Sequence, residues 1–201
     1  MTTPPPPFGS AGLWSALTER TRLRLFRAAS LAAFAMSYWV GVTGAVLRTT
    51  ASPLGIVSLE LAGTAAVAER ILTAWGETGI AAAQFNIQID FLYLITYGIA
   101  LSVGCAVSRV WWQRRSAAMA RLGALLTWAM LIAACSDAAE NALMWQGMHD
   151  TTNALWPALA RIFALAKFAL LLAGLLYIMT GAFSRIGARR ALGSAPASEN
   201  V

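Results

Sequence analysis

The sequence predicts an all-α membrane protein: a bundle of four transmembrane helices with an additional amphipathic helix in the first exoplasmic loop. Three observations lead there. The 201 residues are 58% hydrophobic and only 12% charged, with a mean hydropathy of +0.62, whereas about a quarter of an ordinary soluble domain is charged. Four apolar stretches, 28–47, 88–108, 122–141 and 157–184, each approach or exceed the roughly 20 residues that a helix needs to cross a bilayer. Arginines bracket these stretches and collect on one side of them.

The chain opens on MTTPPPPFGSAG, rich in proline, glycine and small polar residues. Residues 1–12 offer nothing to bury and are expected to form a disordered tail, as are residues 191–201, leaving one membrane domain over 13–190. The first span follows a basic lead of Arg20, Arg22, Arg24 and Arg27. Its twenty apolar residues exceed the about 7–15 of a signal-peptide core, so a retained helix is expected. Ala33, Ser37, Gly41 and Ala45 recur every four residues along it. Such a small-residue stripe predicts close approach of another helix.

The connection after span one carries helix signals of its own. Ser52 before Pro53 resembles a cap and first-turn proline, Thr64 is a second candidate cap, and Gly76 is a stop signal. Between them Val57, Leu61, Ala68, Ile71, Leu72 and Trp75 fall near helical spacing, opposite Glu69, Arg70, Thr73 and Glu77. The expectation is an amphipathic helix over 53–76, lying on the membrane or capping the bundle.

Orientation is read from the arginines, which resist translocation. Eleven lie before span one, between spans two and three, or after span four; only Arg48, Arg70 and Arg161 fall on the other side. A multi-pass protein of the cell inner membrane with both termini cytoplasmic is expected. The formal net charge of +6 is then a set of membrane anchors, fourteen of the fifteen basic residues being arginine, and no nucleic-acid partner is implied.

Counting from these arginines at about 1.5 Å per residue places charges from three helices at one height: Asp90 roughly 28 Å from Arg109, Asp137 and Glu140 roughly 24 and 28 Å from Arg121, and Lys167 roughly 27 Å from Arg185. In a hydrocarbon core of roughly 30 Å that layer lies just beneath the exoplasmic surface. In span two, Asn86, Asp90, Tyr93, Tyr97, Gly104 and Ser108 draw a polar stripe that should face the bundle, and in span three Asp137, Glu140 and Asn141 share a helix face. Lys167 is the only lysine of the chain.

Two readings of this layer are carried forward. One is a structural network in which Lys167 neutralises Asp90 or Asp137 and the asparagine and tyrosines satisfy the remainder. The other is an exoplasmic-facing polar pocket that binds or moves a small amphipathic or cationic ligand or a lipid headgroup. Its candidate binding residues are Glu60, Asp90, Tyr93, Tyr97, Asp137, Glu140, Asn141 and Lys167. The surplus of carboxylates over the single lysine favours a cation. Lys167 competes with any metal ion, so no metal is expected.

Other chemistry finds no support. His149 is the only histidine, too few for bis-histidine haem. Cys105 and Cys135 lie at about 6 and 21 Å from their nearest arginines along separate spans and are not expected to pair. HExxH, GxSxG and phosphate-cradling glycine loops are absent. The expectation leans away from an enzyme, with no catalytic residue and no cofactor assigned. The expected partners are the lipid bilayer and a small amphipathic or lipid ligand. On the scaffold alternative they are another membrane protein or a second copy of this chain.

Ile89-Asp90-Phe91-Leu92-Tyr93 with Tyr97, followed one helix later by Asp137-Ala-Ala-Glu140-Asn141, resembles a pattern of small four-span bacterial integral membrane proteins. Leu59-Glu60-Leu61 through Ile71, Leu72 and Trp75 fits the same pattern, so the resemblance covers about 55–180. It implies the four-span architecture and brings no activity with it. Sterol-isomerase-like and sigma-2-like four-helix proteins also keep carboxylates in a bundle pocket, a likeness of architecture without a shared motif.

Overall fold

Side-chain caps decide where the long helices begin. The Thr18, Thr64 and Ser116 hydroxyls accept hydrogen bonds from the backbone amides of Thr21, Val67 and Met119, each satisfying a first-turn donor that has no partner inside its helix. The computed structural model describes residues 12–193. It consists of α1 (Glu19–Thr43), a 3-10 turn (Ala45–Leu47), α2 (Ile56–Glu60), α3 (Ala65–Trp112), α4 (Ala117–His149) and α5 (Leu155–Gly193). Among the described residues there is no strand, and α1, α3, α4 and α5 are long and apolar enough to cross a membrane.

The boundaries differ from those expected in three places. First, α1 starts at Glu19, so its arginine lead is itself helical, and it ends at Thr43 rather than at residue 47. Its last carbonyls turn to other donors: the Thr43 hydroxyl bonds to Trp39 O, and Asn86 Nδ2 of α3 donates to Val40 O and Thr43 Oγ1. Second, α5 continues past residue 184 to Gly193, so the first three residues assigned to the C-terminal tail are helical. The rest of both tails, 1–11 and 194–201, lies outside the described residues.

Third, segment 53–76 does not form the single helix expected. Ser52 and Pro53 start no helix; the buried Ser52 hydroxyl donates to Leu47 O and accepts from the indole of Trp75, pinning the turn after α1 against α3. Thr64 caps the start of α3 instead. Gly76 adopts φ +60° and ψ −172°, a conformation side chains with a Cβ avoid, yet the chain resumes its helix at once. The amphipathic segment is thereby split between α2 and the leading part of α3, with Ile71, Leu72 and Trp75 buried and Glu69, Arg70 and Thr73 exposed.

α3 is the central helix, packing against α1, α4 and α5, while α4 also packs against α5. Small residues allow the α3–α4–α5 approach. A Cβ on Gly98 would lie 3.0 Å from that of Ala134, and Ala133, Ala160 and Ala164 are at most 1% exposed. α1 is different, since none of its residues is buried. The Ala33, Ser37, Gly41, Ala45 stripe packs only in part: Ala33 sits against the Leu94, Tyr97 and Ala134 cluster, whereas nothing lies within 4 Å of where a Gly41 Cβ would be. Two apolar clusters cap the bundle, one around Leu47, Trp75, Ile87 and Met144 and the other around Cys105, Leu126, Met130 and Tyr177 near the arginine-rich end.

Candidate functional site

Helical periodicity delivers the charged residues to one place. Asn86, Asp90, Tyr93 and Tyr97 follow steps of four, three and four along α3, Asp137, Glu140 and Asn141 share a face of α4, and Lys167 lies two turns from the buried Ala160 on α5. α2 adds Glu60. Lys167 Nζ stands 2.8 Å from Asp137 Oδ1, 2.9 Å from Glu140 Oε2 and 3.4 Å from Glu60 Oε2, all four residues being at most 7% exposed. The Glu140 contact is an ion pair without hydrogen-bond alignment. Tyr97 donates to Asp137 Oδ2 at 2.6 Å and packs edge-on against Tyr93. In hydrocarbon such charges persist only when they find one another, and here three carboxylates surround one ammonium.

Asp90 is not part of that network. It forms no ion pair with Lys167, contrary to one of the pairings expected; instead Asn141 Nδ2 donates to Asp90 Oδ2 at 2.7 Å. Asn141 is turned to Asp90 because the i+4 step from Asp137 puts it on the α3 side of α4.

Beside this layer lies a cavity of about 520 Å³. Most of its wall is apolar: Phe26, Ala33, Phe34 and Val40 from α1, Ala100 and Leu101 from α3, and Phe168, Leu171, Leu175 and Ile178 from α5. One end is polar, formed by Glu60, Asn86, Asp90, Asp137, Asn141 and Lys167, with Tyr93 and Tyr97 beside it. Ile56 and Val57 of α2 line that same end. At the other end Phe26 and Ile178 converge on Gly104, where a Cβ would be 2.8 Å from each. Its size and its mix of apolar wall with a few convergent polar groups suit a small organic ligand.

Of the eight residues proposed from sequence, seven line this cavity, and Glu140 stands behind Lys167 with no exposure at all. Sequence reasoning passed over Asn86 as a site residue and the whole α1 wall. The signal was there: Ser30, Ala33, Ser37 and Val40 keep steps of three and four, one helix face, and all four line the cavity. It also missed Trp14, whose indole donates to the buried Ser102 hydroxyl and ties the segment before α1 to α3. Among the described residues no three His, Cys, Asp or Glu side chains are grouped to hold a metal ion. No family model, curated protein or solved structure matches the chain.

Proposed function

We propose that this is an inner-membrane protein that binds or moves an amphipathic ligand, whose tail lies along the apolar wall of the cavity and whose polar head meets the Asp90 end. The carrying observation is the division of one cavity of about 520 Å³ into a long apolar wall and a single polar end. The arginine clusters favour an orientation with both termini in the cytoplasm, which sets the polar end toward the exoplasmic leaflet. A structural role accounts for Lys167, Asp137, Glu140 and Glu60, because the three carboxylates gather on one ammonium. It leaves Asp90 and the cavity without a purpose, and a scaffold would gain nothing from keeping that space unfilled.

The test uses a diazirine-bearing alkyl probe and the protein in lipid nanodiscs, with crosslinked sites mapped by mass spectrometry. Labelling is expected on the inner wall, at Ala33, Tyr97, Leu101 and Leu171, and is expected to disappear when the cavity is filled by Ala100→Trp. Labelling confined to outward residues such as Leu31 and Leu172, unchanged by the filling substitution, would refute the reading.

A further inference from the structure

We infer that the ligand is a single-chain amphipath with an ammonium head that carries N–H donors, reaching the cavity sideways from the bilayer between α1 and α5. The inference rests on the cavity being a ligand site and adds the chemistry of its occupant.

The head follows from which polar atoms are left over. Asn86 is 2% exposed, and its Nδ2 is spent on Val40 O, a group that can only accept, so its Oδ1 is the atom left without a partner. Asn141 is likewise 2% exposed, with Nδ2 given to Asp90 and Oδ1 unbonded. Asp90 Oδ1 also receives no hydrogen bond. Besides the Tyr93 and Ser37 hydroxyls, which face one another, the groups left over at this end of the cavity are oxygens that accept, one of them on a carboxylate outside the Lys167 network. Asn86, Asn141 and Asp90 all line the cavity, and a head that displaces water from acceptors of which one is a carboxylate has to replace the donors it removes, which calls for several N–H bonds and a positive charge. A quaternary ammonium brings charge without donors, and a carboxylate brings neither.

The route follows from packing. α1 packs on α3 and forms no packed interface with α5. Phe34 on α1 and Phe168 and Leu175 on α5 line the cavity and are nonetheless 78%, 38% and 46% exposed, so they border an opening on that side. α2 lies over the polar end. Asp90 and Leu101, like Lys167 and Ile178, are eleven residues apart, giving a slot roughly 16 Å long, the scale of one extended alkyl chain.

The experiment is competition against the diazirine probe in nanodiscs by dodecylamine, dodecyltrimethylammonium and dodecanoate, on the unaltered protein and on Asp90→Asn. Dodecylamine is expected to displace the probe at a concentration at least roughly tenfold below the other two, the scale of one charge-assisted hydrogen bond, and Asp90→Asn is expected to remove most of that advantage. Equal potency of amine and trimethylammonium, or a preference for dodecanoate, on the unaltered protein overturns the inference while inner-wall labelling still upholds the cavity as a ligand site. Because the comparison of heads is made on the unaltered protein, it decides the matter even where Asp90→Asn fails to fold. Absence of inner-wall labelling overturns both readings.

Discussion

The two sides of α3 are built in opposite ways. Toward α4 and α5 the contact is dense: Gly98 meets Ala134, Gly174 takes in Met130, which is fully buried, and the Lys167 ion network closes the layer. Toward α1 the contact leaves a cavity, and α1 buries none of its residues. Both sides carry small residues at intervals of four, yet on the α1 side Ala33 packs while Gly41 meets nothing. A small residue permits close approach; what compels it is the need of neighbouring groups to meet, and the charges of α4 and α5 supply that need where α1 has none.

The contrast makes graded predictions, each read as the thermal unfolding of the purified protein in detergent. Lys167→Met strikes the dense side hardest, since three buried carboxylates lose their counter-charge; a loss of about 3–5 kcal/mol is expected. A loss below ~1 kcal/mol would mean that the ion network does not hold α4 and α5 together. Gly98→Val forces branched bulk against Ala134 and should lower stability by about 1–3 kcal/mol.

On the loose side, Asn86→Ala removes the side-chain hydrogen bonds from α3 to Val40 and Thr43 at the end of α1, and about 1 kcal/mol is expected. Its sharper readout is crosslinking between cysteines placed on α1 and α5, which should become faster as α1 loses its anchor. Smallest of all, Gly41→Leu projects into space with no neighbour and should change stability by no more than about 0.5 kcal/mol. A large loss from that change would show that α1 is packed after all, by a partner chain or a second copy.

Much of the site could be read from the linear chain. Counting residues from the arginines put Asp90, Asp137, Glu140 and Lys167 at one height, and helical spacing put Asp137, Glu140 and Asn141 on one face. Pair identities could not be read this way. Lys167 pairs with Glu60 from α2 as well as with Asp137 and Glu140, and leaves Asp90 to Asn141. Equal height does not fix rotation about each helix axis. Segment 53–76 illustrates the same limit: Thr64 and Gly76 were recognisable as punctuation, but the Ser52–Pro53 pair read as a cap while its serine is consumed by Leu47 and Trp75, contacts far along the chain.

Hydropathy, helical period and arginine placement are properties of near neighbours along the chain, and they alone settled that this protein has four helices long and apolar enough for a membrane, that charges from several helices share one height, and which faces are polar. The cavity belongs to no segment. It exists because α1 is anchored to α3 near Asn86 and converges with α5 only around Gly104, leaving room between, and volume enclosed by separate helices depends on how they lean, which near neighbours do not encode.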